Sequence, residues 1–176
     1  MTAGRILLGI DPGSRVTGFG ILAVENNKPR YITSGVVTAD GDDFPERLRL
    51  IFAGLQSLIE KYRPTELAIE QVFMHDNPGA ALKLGQARGA AIAATFAHDI
   101  KVYEYSARQI KQAVVGYGNA EKSQVSSMVC RLLGLEGSPR ADATDALACA
   151  LCHFHSQENP PPRNTRLPPL ERGPKT

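Results

Sequence analysis

Arg5-Ile-Leu-Leu-Gly-Ile-Asp11, with the two apolar segments behind it at residues 17–25 and 30–38, decides how this chain folds. Each segment is rich in Ile, Leu, Val, Phe or Tyr, and Pro12-Gly13-Ser14 and Asn26-Asn27-Lys28-Pro29 between them are turn-forming combinations. Three strands in a meander are expected. Farther out, Leu48, Ile51, Phe52, Leu55, Leu58, Ile59 and Tyr62 recur at helical spacing, with Asp43 and Glu46 as a capping-box pattern and Pro64 as a stop. Residues 67–69 and 102–105 read as short buried strands around an Ala/Gly-rich helix at about 79–98, and strand-helix-strand implies a parallel crossover. Three more helices follow: one capped by Ser106 with Gln109, one carrying Val125, Met128, Val129, Leu132 and Leu133, and one beginning at Ser138-Pro139. The expected class is α/β, a mixed five-stranded sheet with helices on both faces.

A chain of 176 residues, 43% hydrophobic and 22% charged, suits one globular domain and excludes wholesale disorder. Its longest apolar stretches, residues 89–97 and 146–152, fall short of the roughly 20 residues that span a bilayer, so no membrane association is expected. The apolar run from Ile6 to Ile10 is too short for the core of a secretory signal, and three cysteines make no disulfide framework. A cytoplasmic protein is expected. Residues 156–176 hold six of the twelve prolines and no apolar periodicity, which sets the expected domain at 1–155 with a flexible Pro-rich tail behind it. The net charge is only +2, yet residues 83–131 carry seven bases against three acids, enough for one basic face.

Asp11 and Glu70 each end an apolar run, where a carboxylate is costly unless it is solvated, paired or metal-bound. Asp142 and Asp145 stand three residues apart beside the apolar face Ala143, Ala146, Leu147, Ala150, Leu151 and Phe154. Like charges so placed repel unless a cation lies between them, although an exposed helix start also tolerates acids. Oxygen ligands without paired His or Cys suit hard divalent ions, and two such ions support phosphodiester hydrolysis. Two-metal phosphoryl chemistry is the sharpest reading of the four acids.

Five ordered blocks carry a resemblance: Gly9-Ile-Asp-Pro-Gly-Ser-Arg-Val-Thr-Gly-Phe-Gly20, Ala68-Ile-Glu-Gln-Val-Phe73, Ala81-Leu-Lys-Leu-Gly-Gln-Ala-Arg-Gly89, Ala120-Glu-Lys-Ser-Gln-Val125 and Ala141-Asp-Ala-Thr-Asp-Ala-Leu147. Over residues 5–155 the chain resembles the RuvC family of bacterial Holliday junction resolvases. The resemblance implies a ribonuclease H-like fold and makes Asp11, Glu70, Asp142 and Asp145 the catalytic carboxylates, holding magnesium, two ions per subunit, with manganese as a substitute. It further implies a homodimer that cuts four-way junction DNA in pairs, leaving 5′-phosphate ends, in recombination and repair, and that works with the RuvAB branch-migration complex. The family's basic positions fall on Lys111 and Lys122, the latter a candidate for stabilising transition-state charge. Arg15, Lys83, Arg88 and Arg108 are weaker candidates for contacts to the DNA backbone, and Phe73 for stacking on an unpaired base.

Other readings compete. Gly9-Ile-Asp-Pro-Gly also resembles the first phosphate loop of the actin, Hsp70 and sugar-kinase superfamily, but no second domain or second phosphate loop is present. A non-catalytic junction-binding module would be expected to have lost an acid, and none is lost. Cys149-Ala-Leu-Cys152-His153 matches a haem-attachment pattern and, with His155, a zinc pattern; packed thiols on one helix are the plainer reading. Ala80, Leu84, Ala87, Ala91 and Ala94 form a small-residue stripe that suits either a close dimer contact or packing on the chain's own sheet.

Overall fold

A computed structural model describes residues 4–72 and 77–158. Strands β1 (Arg5–Asp11), β2 (Val16–Glu25) and β3 (Lys28–Thr38) form the expected meander, with Asn26 and Asn27 at positive φ in a two-residue hairpin turn. Helix α1 (Phe44–Tyr62) begins where the Asp43 side chain accepts from the Glu46 N–H and ends at Arg63, in the left-handed region before Pro64. The capping box is half formed, because the Glu46 carboxylate turns away to Arg49. Then come β4 (Glu66–Glu70), α2 (Pro78–Ala93), β5 (Lys101–Tyr105), α3 (Ala107–Val115), α4 (Lys122–Leu133) and α5 (Ala141–Glu158).

The sheet order is β3-β2-β1-β4-β5, antiparallel across β1, β2 and β3 and parallel across β1, β4 and β5. One face carries α1 and α2 over a core that includes Leu8, Ile10, Ile21, Ile51 and Leu55. The other carries α3, α4 and α5, where Leu147 and Leu151 are fully buried and contribute about 2–3 kcal/mol each. The mixed sheet with helices on both faces is thus as expected.

Three boundaries differ from the sequence reading. α2 stops at Ala93 rather than near 98 because the Thr95 hydroxyl donates to the Ile92 carbonyl, 2.7 Å away, and the chain breaks into turns. α5 starts at Ala141, two residues after Pro139, and continues to Glu158, past the expected boundary at 155; residues 159–176 lie outside the described part. The C-terminal part of the small-residue stripe points inward: Ala87, Ala91 and Ala94 are buried in the core, where their size lets α2 lie close, while Ala80 is exposed and Leu84 half-buried. The outward side of this segment instead shows Leu82 and Phe96, 65% and 77% exposed, with open space above Gly85 and Gly89. Among the described residues no helix is long and apolar enough to cross a membrane.

Candidate active site

Parallel pairing places two of the acids side by side. The β1–β4 register ends with Ile10 opposite Ile69, so Asp11 and Glu70 are the next residues on adjacent strand ends. Behind Asp11 the chain is fixed by Thr17, whose buried hydroxyl donates to the Gly13 carbonyl at 3.0 Å.

The third acid arrives through three glycines. Gly9 and Gly20 face each other in the β1–β2 register, and Gly18 faces Asp11. A β-carbon on Gly9 would collide with the Ala146 carbonyl, one on Gly18 with the Asp142 carbonyl, and one on Gly20 with the Leu147 side chain. Missing side chains therefore make a trough in which α5 lies almost on the strand backbone, and this brings its acidic first turns to the strand ends.

Asp11, Glu70 and Asp145 line one cavity of about 360 Å³ together with Lys111 and Lys122. Burial, then repulsion from Asp145, Glu70 and Asp142, pushes the Asp11 carboxyl up to about 7, only partly offset by Lys122. Glu70 is raised as well, by burial and by Asp145, against Lys122 and Lys111. Asp142 does not line the cavity, and its push on Asp11 is the weakest of the three acids. Lys122, at the first position of α4, sets its Nζ 3.2 Å from Asp145 Oδ2, which raises the pKa of its ammonium.

Among the described residues no three His, Cys, Asp or Glu side chains are close enough together to enclose a metal ion as they stand. The donor set nevertheless fits a hard divalent cation: it is all carboxylate and carries mutual repulsion that a cation would relieve. The other sequence candidates disperse. Arg15 and Arg108 are exposed, the latter with its stem packed beneath Gly118. Lys83 is exposed with its Nζ 5.9 Å from the centre of the Phe44 ring, away from the cavity. Arg88 is turned inward against Glu70 and Glu104. Phe73 lies outside the described residues. Cys149 and Cys152 are buried thiols whose pKa burial raises, Cys152 to about 11, both ring nitrogens of His153 are engaged by Tyr105 and Glu66, and His155 turns its Nδ1 to the Ala113 carbonyl, which fits packed thiols on one helix better than a haem or zinc site.

The glycine trough, Thr17 and the inward turn of Arg88 escaped the sequence reading. The first had a visible signal, since Gly18 and Gly20 fall on one face of a strand and Gly9 pairs with one of them.

Comparison with known proteins identifies the family. The sequence model of the family described as Crossover junction endodeoxyribonuclease RuvC matches residues 7–153. A protein of that name from Methylococcus capsulatus is 57% identical over 152 residues, covering 86% of this chain and 92% of that protein. One from Acinetobacter baumannii is 56% identical over 151 residues, covering 86% and 83%. The solved structure described as T. thermophilus RuvC in complex with Holliday junction substrate matches with a TM-score of 0.81 at 36% identity, over 88% of this chain and 96% of that one. The ribonuclease H-like arrangement is shared with it.

Proposed function

The chain belongs to the RuvC family and is a structure-selective endonuclease that resolves Holliday junctions, and from that premise we propose that Asp11, Glu70, Asp142 and Asp145 form its magnesium-dependent hydrolytic centre. One observation carries this reading: three acids from β1, β4 and α5 share one cavity with two lysines, where burial and then their mutual repulsion push the Asp11 carboxyl up to about 7. Two divalent ions, magnesium or manganese, when bound, supply activation of the attacking water and stabilisation of the leaving oxygen. The chain's own part is positional. Strand ends fix Asp11 and Glu70, and the glycine trough fixes the helix that brings Asp145 and, at its edge, Asp142.

Lys122 is paired with Asp145 in the free protein and swings on a long, exposed side chain, so a scissile phosphate would draw it to neutralise developing charge. Lys111, half-buried at the cavity wall, holds the phosphate from the other side. Arg15, Lys83 and Arg108 are assigned to the more distant DNA backbone, and Phe73 to stacking at the junction centre. Products carry 5′-phosphates.

A homodimer supplies two such centres with the two-fold symmetry that paired cuts require. We assign its contact to the outward side of α2, with Leu82 seated over Gly85 and Gly89 of the partner. The branch-migration partner is the RuvAB complex. Free thiols at Cys130, Cys149 and Cys152 suit a reducing compartment, and we assign the protein to the cytoplasm.

Incubation with a mobile four-way junction and Mg²⁺, with every strand end-labelled, tests this reading. Symmetrical paired nicks that vanish in EDTA and in Asp145→Asn, with junction binding kept, are expected. Undiminished cutting by Asp145→Asn, or equal cutting of plain duplex, would refute it.

A further inference from the structure

The carboxylate of Glu70 can serve a metal only if its strand end is fixed, and the sheet does not fix it alone. The β4–β5 ladder ends at the pair Glu70 and Tyr105, after which the Gln71 N–H donates to the Tyr105 carbonyl at 2.9 Å. The Glu70 carbonyl lies at the end of this ladder, and a side chain supplies its donor: Arg88 Nε, from α2, at 3.1 Å. On the far side of the same guanidinium, Nη2 lies 2.8 Å from Glu104 Oε2 on β5. That approach is an ion pair without hydrogen-bond alignment, for the buried Nη2 has no hydrogen-bond partner among the described residues. The arginine side chain is 18% exposed. Its planar fork thus spans from the backbone of one strand to the carboxylate of the next, a reach that a point charge on a flexible stem does not reproduce.

We infer that Arg88 is a positioning residue for Glu70. Holding the carbonyl fixes the peptide plane after Glu70, hence the direction in which its Cα presents the carboxylate. The neighbours of Arg88 on α2 agree with this role, since Ala87 is buried against the core and Leu84 lines the carboxylate cavity itself. This inference rests on the proposed role of Glu70 in metal binding, and it assigns Arg88 away from the DNA phosphates.

The test is a Mg²⁺ titration of the full chain without DNA, read as the rise in Tm, alongside single-turnover cleavage and salt-dependent junction binding, for wild type, Arg88→Gln and Arg88→Lys. For Arg88→Gln the half-saturating Mg²⁺ concentration should rise about tenfold, within the range for loss of a group that orients a metal ligand, and the cleavage rate should fall about 10- to 100-fold. Junction affinity and its salt slope should stay unchanged. Arg88→Lys, which keeps the positive charge opposite Glu104 as well as a donor, should recover part of the metal response, and it serves as the deciding variant should Arg88→Gln fail to fold. A Mg²⁺ midpoint equal to wild type in the folded variants would overturn the inference, leaving Arg88 a packing residue. Weaker junction binding with a salt slope reduced by about one would overturn it in favour of a phosphate contact. Failure of the wild type to respond to Mg²⁺ at all would instead overturn the metal reading of the site, and this inference with it.

Discussion

Replacing Asp11 by Asn should make the metal-free protein more stable while abolishing cleavage. The folded chain holds the Asp11 carboxyl at about 7 against an ordinary value of 3.8, because the site is buried and three other acids crowd it. A folded-state value above the unfolded one means that the native chain binds a proton more tightly. The carboxyl therefore costs nothing below about 4, and stability falls as pH rises through the interval up to 7, where the full penalty is reached. The gap corresponds to a ceiling of about 4 kcal/mol, of which solvent access and side-chain movement should leave about 1–3 kcal/mol measurable. For a chain of this size that is a Tm gain of about 3–10 °C for Asp11→Asn at pH 8 in EDTA, shrinking toward zero at pH 4. Thermal unfolding followed by circular dichroism at several pH values, with EDTA or with Mg²⁺, measures it. Saturating Mg²⁺ should stabilise the wild type far more than the variant. A difference between the two proteins that does not change between pH 5 and 8 in EDTA would refute the argument that burial and repulsion from the neighbouring acids penalise the Asp11 carboxylate in the native state.

Gly18→Ala should destabilise the fold by about 1–3 kcal/mol or more and reduce cleavage, since the new methyl meets the Asp142 carbonyl of α5 and backbone cannot yield as a side chain would; urea unfolding measures the first effect. Leu82→Arg should convert a sedimenting dimer to monomer while the circular-dichroism spectrum of the fold is kept, because Leu82 is 65% exposed in the single chain, and should remove any concentration dependence of Tm; an unchanged dimer would remove this side of α2 as the contact. Phe73→Ala should slow resolution of an intact junction at least about fivefold more than that of a junction with an unpaired centre, given about 1–3 kcal/mol for stacking on one base; equal losses at matched salt and Mg²⁺ would rule out base opening as its role.

The fold was legible wherever a local signal coincided with the tertiary one. Strand meander, crossover and helix faces all follow from periods of two and 3.6 with turn residues between them, and Ser106 with Gln109 forms the capping box that its spacing predicts. What stayed hidden depended on partners distant in sequence. Ala87 and Ala91 are small because a core lies beneath them, and nothing local distinguishes that from a contact with a second chain. Arg88 reads as a surface base until β4 and β5 are laid beside α2, when Glu70 and Glu104 are found to occupy it. The acids were legible as chemistry, because a carboxylate ending an apolar run is expensive. Their unequal placement was not: register alone sets Asp11 level with Glu70, and only the packed helix shows that Asp145 and not Asp142 lines the cavity.

The elements driven apart at the site are tied together at their other ends. Arg5 on β1 donates from Nε and Nη2 to the two carboxylate oxygens of Glu66 on β4, at 2.7 and 3.0 Å. His153 on α5 joins the same carboxylate through Nε2 and the Tyr105 hydroxyl through Nδ1, the latter at 2.7 Å. A phenol donating to Nδ1 and an Nε2–H donating to Glu66 satisfy a neutral imidazole, in keeping with burial, aided by Arg5, lowering its pKa against the pull of Glu66. Burial would raise Glu66, but its bonds to Arg5 and His153 outweigh that and hold it below the ordinary carboxylate range. Both shifts have the opposite sign to that of Asp11. His153 resists the proton that the unfolded chain accepts, so stability is lost as pH falls through and below 6.5, and Glu66 adds a further loss below 4.5. Acid thus loosens the tied end of β1, β4 and α5, while rising pH strains the acidic end, and only the second strain can be relieved by a cation. Removing one partner of the tied end would strand a buried charge or an unpaired ring nitrogen. The register of α5 on the sheet, and with it the reach of Asp145, is therefore secured by contacts that never touch the substrate.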